Sequence, residues 1–335
     1  MSRPHSLDDI TSDYDESFGV SEFTSIHTAH LIHSYEHGRR YQGLVQNRYG
    51  MPNDEAEQMR EGIKHKLYTD YILDGKQFLA PVPDNPQKIV DLGTGAGYWA
   101  LDGMYTPSRS LPPLAEKFPS ARVIGTDLSP IQPQWAPPNT EFRVEDLDDE
   151  HRPWSSIYAG ADAIHTRALL PTLRNPKLVL RRAFENLKPG GWVECHEIIS
   201  CVFSEDGAVN RGHPLHKMYD LINGSFSQVY GWNLQIAAQI PDVLREIGFV
   251  GVAQRQNKIP LGRWHHDAKM REMGIFNQII HSEWLPSMLL KHEAMGISAD
   301  EAESVGQEIL DAFNDPNLRS YNVWLDCWAQ KPLPG

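Results

Sequence analysis

Residues 91–97 read Asp-Leu-Gly-Thr-Gly-Ala-Gly, three glycines at alternate positions behind an acid. Glycine lets the backbone approach a ligand closely, and a helix opening after such a loop offers free N–H groups. Ile89 and Val90 form a short apolar strand ahead of the loop, and residues 98–101 continue as the start of a helix. Two further acids stand where apolar runs end. Asp127 closes 122–126, and Asp146 follows 140–144. At the second strand end a carboxylate can accept both hydroxyls of a ribose, and at the third it can accept an adenine amino group. A single acid of this kind reads as a helix cap or a solvated turn. Three at successive strand ends, beside a glycine loop, point to a nucleoside-bearing ligand.

Spacing narrows the ligand. A dinucleotide fingerprint wants its third small residue at position 98, where this chain has Tyr98. An acid two residues before the first glycine suits S-adenosylmethionine, whose ammonium it can meet. The expected cofactor contacts are Asp91, Gly93, Thr94, Gly95, Gly97, Tyr98, Asp127, Leu128, Asp146, Leu147 and His165, with Leu128 and Leu147 as apolar neighbours of the adenine. A nicotinamide cofactor is set aside because of Tyr98.

These residues need a frame. Strands are expected at 89–90, 122–126, 140–144, 161–165 and 192–198, with a helix at 177–187 and a turn at Lys188-Pro189-Gly190-Gly191. Strands alternating with helices at this spacing imply a parallel sheet covered on both faces. Ahead of the sheet, residues 1–40 read as a flexible lead with a short helix at 26–32. Asn53 or Asp54 can cap a helix whose Met59, Ile63, Leu67 and Tyr71, four apart, define its apolar face. Later come a helix at 240–247 stopped by Gly248, a strand at 249–259, helices at 268–290 and 299–313, and a strand at 321–329. The two long helices between the late strands read as an insertion that builds a lid. The expected divisions are a lead at 1–40, a helical cover at 41–86, a cofactor-binding unit at 87–260, a lid at 261–320 and a final strand and tail at 321–335.

Composition excludes several classes. Of 335 residues, 44 are Asp or Glu and 31 are Lys or Arg, a net charge of -13, with no clustered basic run. Phosphate contacts need such clusters, so direct nucleic-acid binding is not expected. No apolar stretch reaches the ~18 residues of a membrane span. Cys195, Cys201 and Cys327 form no CxxC pair, and the histidine pairs at 265–266 and 213–216 lack partner ligands. Neither a disulfide framework nor a metal site is therefore expected. The expected setting is reduced and cytoplasmic, or nuclear were the role regulatory.

In its motifs the chain resembles the class I S-adenosylmethionine-dependent methyltransferases, in the fungal secondary-metabolism branch that holds the LaeA-like proteins. The resemblance spans about residues 40–333 and rests on 49–55 (Tyr-Gly-Met-Pro-Asn-Asp-Glu), 73–76, 90–95 with Trp99-Ala100, 124–130, 164–167 and 187–194. It implies an α/β doubly wound, mostly parallel seven-stranded Rossmann-like sheet, N-terminal helices and a helical insertion near the C-terminus. It also implies methyl transfer to a small-molecule acceptor, with S-adenosylhomocysteine as product. A LaeA-like regulator and a cofactor-bound, non-methylating cyclase are the alternatives, and a homodimer is allowed for. Two departures stand out. Residues 103–116 look like an insertion, and Tyr98 replaces the branch's usual aliphatic residue, so that its phenol could face the methionine part of the cofactor.

Methyl transfer from a sulfonium is mainly a matter of alignment, with a base needed when the nucleophile arrives protonated. His165, His196 and Glu197 are the candidates, at the cofactor edge of the fourth and fifth strands. His165 reads equally well as a packing residue of the cofactor shelf, so His196 is slightly favoured. His196 and Glu197 alternate faces, so only one can look into a given pocket. Trp232, Trp264, Phe276 and Trp284 could line the acceptor pocket, although each singly reads as a core anchor.

Overall fold

The computed structural model describes residues 33–101, 112–154 and 156–335. The helix expected at 26–32 and most of the insertion at 103–116 lie outside the described residues. The chain opens on a hairpin, β1 (His33–Glu36) and β2 (Arg39–Gln42), for which the sequence reading had no counterpart. Helix α1 (Glu55–Lys66) follows, and Asp54 is the cap: its Oδ1 accepts the Glu57 N–H at 3.1 Å. The helix widens into a π-turn over Leu67–Ile72.

The central sheet is built from β3 (Lys88–Leu92), β4 (Arg122–Asp127), β5 (Thr140–Val144), β6 (Ala161–Arg167) and β7 (Leu187–Ile198). Two late strands, β9 (Val250–Pro260) and β10 (Ser320–Gln330), complete it, and the short β8 (Phe203–Ser204) pairs with the start of β10. The order is β5-β4-β3-β6-β7-β10, with β9 on the outer edge of β10. All pairings through β7 are parallel, and β10 is antiparallel to both neighbours. The chain runs outward from β3 to β5 and returns to β6, so the order reverses between β3 and β6. Ligands bind at such a reversal, beyond the carboxyl ends of the strands.

Helices α2 (Leu114–Lys117), α3 (Pro176–Asn186) and α5 (Ile236–Ile247) flank the sheet. Ile89 and Val90 show why both faces are covered. Val90 packs in the core with Ile164, Leu180 and Leu244, whereas Ile89 joins Trp99, Leu114 and Phe118 on the other face. Helices α4 (Pro214–Val229), α6 (Ala268–Leu289) and α7 (Ala299–Asn314) form a cap with its own core around Met218, Phe226, Met288 and Phe313. Helix α4 had no counterpart in the sequence reading. Yet Leu215, Met218, Tyr219, Ile222 and Phe226, all buried, follow the 3.6-residue period behind a His213-Pro214 start. A third cluster, with Leu67, Tyr68, Ile280 and Trp324, joins the N-terminal helix and α6 to the late strands.

Two expectations are corrected. Residues 95–101 form hydrogen-bonded turns in place of a regular helix, with Leu101 N–H donating to Gly97 O at 2.9 Å. The apolar face expected of the first helix holds only in part: Ile63, Leu67 and Tyr71 pack in the third cluster, but Met59 is 70% exposed. The helix also buries Glu57, Arg60, Lys64 and His65. Charged side chains turn inward because Glu57, Arg60 and Lys64 border cavities.

Candidate active site

The glycine loop leaves β3 at Leu92. Gly93 and Gly95 have φ of +70° and +57°, in the left-handed region that glycine adopts without strain. A Cβ at Gly93 would strike Leu169 Cδ1 at 2.8 Å, whereas one at Gly95 would meet nothing within 4 Å. Gly93 is thus required by packing, and Gly95 borders open space. Both line a cleft that runs along the carboxyl ends of β3, β4 and β5. Gly97 does not line it; a Cβ there would strike Phe142 at 2.8 Å. Tyr98 does not line it either. Its phenol donates to Gln58 O at 3.1 Å, tethering the loop to α1.

Asp127, Leu128, Asp146 and Leu147 all face this cleft. Asp127 Oδ2 accepts the Gly95 N–H at 2.8 Å and Oδ1 accepts the Ser129 N–H at 2.9 Å. Burial raises its pKa to about 6, and those two amides hold it from rising further. Asp146 Oδ2 receives Arg48 Nε at 3.0 Å, and its Oδ1 receives the Asp148 N–H at 3.0 Å.

Asp91 is placed differently from the expectation. It is buried beneath the loop, and its Oδ2 accepts from Thr94 Oγ1 at 2.7 Å while Oδ1 lies 2.7 Å from His165 Nδ1. Asp91, Thr94 and His165 are therefore the buttress of the glycine loop and none lines the cleft. His165 also stacks on Trp99, with ring centroids 3.8 Å apart and planes 7° apart. Burial drops its pKa to about 4 against the pull of Asp91, so the ring is neutral at pH 7. The ring is buried and lines neither the cleft nor the cavity beside it.

His196 cannot be a base. Both ring nitrogens are taken, Nδ1 by Asp326 Oδ1 and Nε2 by Glu194 Oε1, each at 2.8 Å. Burial opposes the charge, yet the two carboxylates raise its pKa to about 9 and hold a full imidazolium within the sheet. Glu194 also accepts the Leu79 and Ala80 N–H groups, and Asp326 accepts from Arg255 and Asn257. Glu197, on the opposite face of the same strand, lines a second cavity.

This second cavity adjoins the first. Tyr49, Glu61, Lys64, Ala168 and Thr172 line both. Its other walls include Met51, Tyr219, Trp232, Ile280, His281 and Trp284. Of the four aromatic candidates, Trp232 and Trp284 line it. Trp264 donates to Ser320 O at 2.8 Å, and Phe276 packs on Tyr71; neither reaches the cavity.

The sequence reading missed the α1 wall, where Glu57, Arg60, Glu61 and Lys64 recur at helical spacing. Arg60 pairs with Glu57 at 2.6 Å and also with Glu61, and Lys64 pairs with Glu61 at 2.6 Å. Such a stripe reads as a solvated salt-bridge face, since charges at this spacing support exposed helices. Ala168 was missed as well. It is a non-glycine residue at φ +51°, a conformation that costs about 1 kcal/mol or more. Among the described residues no cluster could hold a metal ion, and no helix is long and apolar enough to cross a membrane.

Comparison with known proteins places the chain among its relatives. The family model described as a methyltransferase domain matches residues 63–254. The methyltransferase pytC of Aspergillus terreus is 30% identical over 315 residues, which cover 93% of this chain and 92% of that protein. The protein-methionine methyltransferase laeA of Emericella nidulans is 28% identical, over 89% of this chain and 76% of its own. Among solved structures, the Haemonchus contortus phosphoethanolamine N-methyltransferase 2 aligns with a TM-score of 0.44 at 17% identity, covering 88% of this chain. This chain spans 62% of the length of that enzyme. With more than half of its residues matched by the domain model, and a relative 30% identical along nearly its whole length, the chain belongs to the class I S-adenosylmethionine-dependent methyltransferases.

Proposed function

We propose that this methyltransferase modifies a small, largely apolar molecule, with S-adenosylmethionine in the glycine-loop cleft and the acceptor in the aromatic cavity beside it. The observation that carries the reading is the shared wall: Tyr49, Glu61, Lys64, Ala168 and Thr172 face both spaces, so two ligands can meet there. The chemistry of the cleft fits the cofactor. Gly95 leaves room for a ligand against the backbone, Asp127 can accept hydroxyl groups, and Asp146 stands where an amino group of the base would be met. Leu128 and Leu147 supply apolar faces for the ring. When bound, the cofactor supplies an activated methyl group on a sulfonium. The residues of the chain hold the acceptor in line and keep water out, with α1 and Tyr49 forming the cover. Alignment of this kind can supply ~7–11 kcal/mol of barrier lowering in favourable cases.

A small-molecule acceptor is supported by the lining of the second cavity, where Trp232, Trp284, Tyr219 and Met51 offer flat, apolar walls. The test has two stages. Calorimetry with S-adenosylmethionine is expected to show one site per chain, which Gly95→Val removes. Labelled cofactor is then incubated with a panel of aromatic hydroxyl and amine compounds, and a gain of one methylene in product mass marks transfer. Tight cofactor binding, with label passing to protein and to no small molecule, would overturn this reading in favour of a regulatory protein methyltransferase.

A further inference from the structure

Resting on the two-cavity reading, we infer that Glu197 is the catalytic base, taking a proton through Oε2 from a neutral O–H or N–H acceptor held in the aromatic cavity. Its two oxygens have different surroundings. Oε1 accepts the N–H groups of Leu169 and Leu170, at 3.2 and 3.0 Å. Oε2 is buried without a hydrogen-bond partner, on a side chain that lines the cavity. A buried oxygen with no partner is costly, and such groups in folded proteins call for an explanation. An acceptor proton delivered from the cavity supplies the missing partner.

The local backbone explains how the carboxylate is held. Ala168, in its left-handed conformation, turns the chain sharply after β6, and its N–H donates to His196 O at 2.9 Å. That turn aims the next two amides at Glu197 and places Ala168 on the wall common to both cavities. One oxygen is thus fixed by two donors from the turn that follows β6, and the other is left for the acceptor. Strain stored at a functional site is the expected setting for such a turn.

One other buried polar atom on the residues of this cavity lacks a partner, Trp232 Nε1, and an indole N–H is a donor that cannot take a proton. Arg60, Glu61 and Lys64 pair with one another. His281 has Nδ1 at 2.8 Å from Asn277 O and Nε2 at 3.1 Å from the Tyr219 hydroxyl, and burial lowers its pKa to about 4. Burial raises the pKa of Glu197 to about 7, opposed by the Leu170 and Leu169 amides and by the charges of Lys64 and His196. Lys64 from α1, His196 beside it on the strand and Tyr68 from the turn after α1 act on it electrostatically, and Arg60, Glu61, Tyr49, Tyr219 and His281 line the same cavity. A base with a pKa near the working pH is the efficient choice.

The step balances. The acceptor proton passes to Oε2, the acceptor lone pair forms the bond to the methyl carbon, and the methyl–sulfur bond breaks with its electrons going to sulfur. The products are a methylated acceptor, a neutral thioether and a protonated Glu197, which returns its proton to solvent when the cavity opens.

Infrared titration of the unloaded protein tests this without any acceptor. A protonated carboxyl band that vanishes with a midpoint near pH 7, is absent from Glu197→Gln and is retained at a shifted midpoint in Glu197→Asp, is expected. A Glu197 that does not titrate between pH 5 and 9 overturns the proposal. With phenols as probes, Glu197→Gln should lose roughly a hundred- to ten-thousand-fold in kcat, with KM little changed and the acidic limb of the pH profile gone. 4-Nitrophenol, largely ionised above neutral pH, should be methylated at similar rates by both proteins. A loss confined to KM would make Glu197 a binding group and overturn its role as base, as would an unchanged kcat. If no phenol is turned over, the infrared midpoint decides alone. Cofactor affinity, measured by calorimetry, stays at the wild-type value in either case, so its absence would count against the methyltransferase reading and not against Glu197.

Discussion

Asp91 and His165 are register partners across β3 and β6, the two strands between which the sheet order reverses, and Asp91 Oδ1 lies 2.7 Å from His165 Nδ1. The acid that looks from sequence like a ligand for the cofactor ammonium is turned under the loop, where it holds both Thr94 and the imidazole. The ring in turn stacks on Trp99, which follows the last glycine by two residues. Loop and sheet are fastened together from below, and Gly93 and Gly95 are left facing the cleft.

His165→Ala should therefore act on stability. It removes a buried ring and a charge-assisted hydrogen bond, a loss of roughly 2–4 kcal/mol. Thermal melting should show it, while methyl transfer per folded molecule changes only a few-fold. Unchanged melting with turnover abolished would return His165 to the chemistry.

The two loop glycines should separate in mutagenesis. Gly95→Val places a side chain in the cleft and should weaken S-adenosylmethionine binding by at least a hundredfold, with a smaller effect on melting from backbone strain. Gly93→Ala presses on Leu169 and should lower stability more, by roughly 1–3 kcal/mol from overpacking and strain. Paired calorimetry and melting curves read this out; the same balance of losses in both variants would count against it.

Asp127 should make cofactor affinity pH-dependent. Its folded pKa is about 6, and the ionised form is the one that accepts two hydroxyls. Affinity should be level above pH 7 and fall by about tenfold per unit below pH 6. In Asp127→Asn affinity is lower throughout and this dependence disappears. Calorimetry between pH 5 and 8 is sufficient, and a flat wild-type profile would remove Asp127 from the contact.

His196 should set the alkaline limit of stability. Its folded pKa of about 9 lies above the unfolded value of 6.5, so its contribution is fully present below pH 6.5 and is lost as pH rises through 9. The slope approaches 1.4 kcal/mol per unit within that window. By pH 7.5 the carboxyl groups of Asp127 and Glu197 have largely titrated, and the buried thiols of Cys195 and Cys327 add their own decline only as unfolded thiols ionise near pH ~8.5, so the onset of the decline above pH 7.5 belongs to His196. Urea unfolding across this range measures it. The slope should vanish in His196→Gln, which is itself destabilised because Glu194 and Asp326 lose their buried counter-charge.

The sequence by itself determined the frame. Short runs closed by glycine or acid place β3, β4, β5 and β6; β3 and β4 are mostly apolar, as buried parallel strands are, whereas the edge strand β5 alternates, and both signals are local. The glycines and Asp127 and Asp146 were legible for the same reason: they sit at fixed offsets from those runs. The period of α7 and a cap for α1 at Asn53 or Asp54 were local as well; the fold selects Asp54.

What only the tertiary structure decided is which way each polar group faces and what it meets there. His196 and Glu197 are adjacent, and sequence ranks the histidine first because its ordinary pKa lies near neutrality. In the fold, Asp326, 130 residues away, and Glu194 lock the histidine as a cation, while burial lifts the carboxyl of Glu197 to about 7. Desolvation and partner charges come from distant elements, so the two residues exchange the chemistry their types suggest. The same reason hid the α1 wall: a stripe of paired charges looks solvated until another element is seen to cover it, and only the packing of the cap and sheet around Glu61 and Lys64 makes it the wall of a cavity.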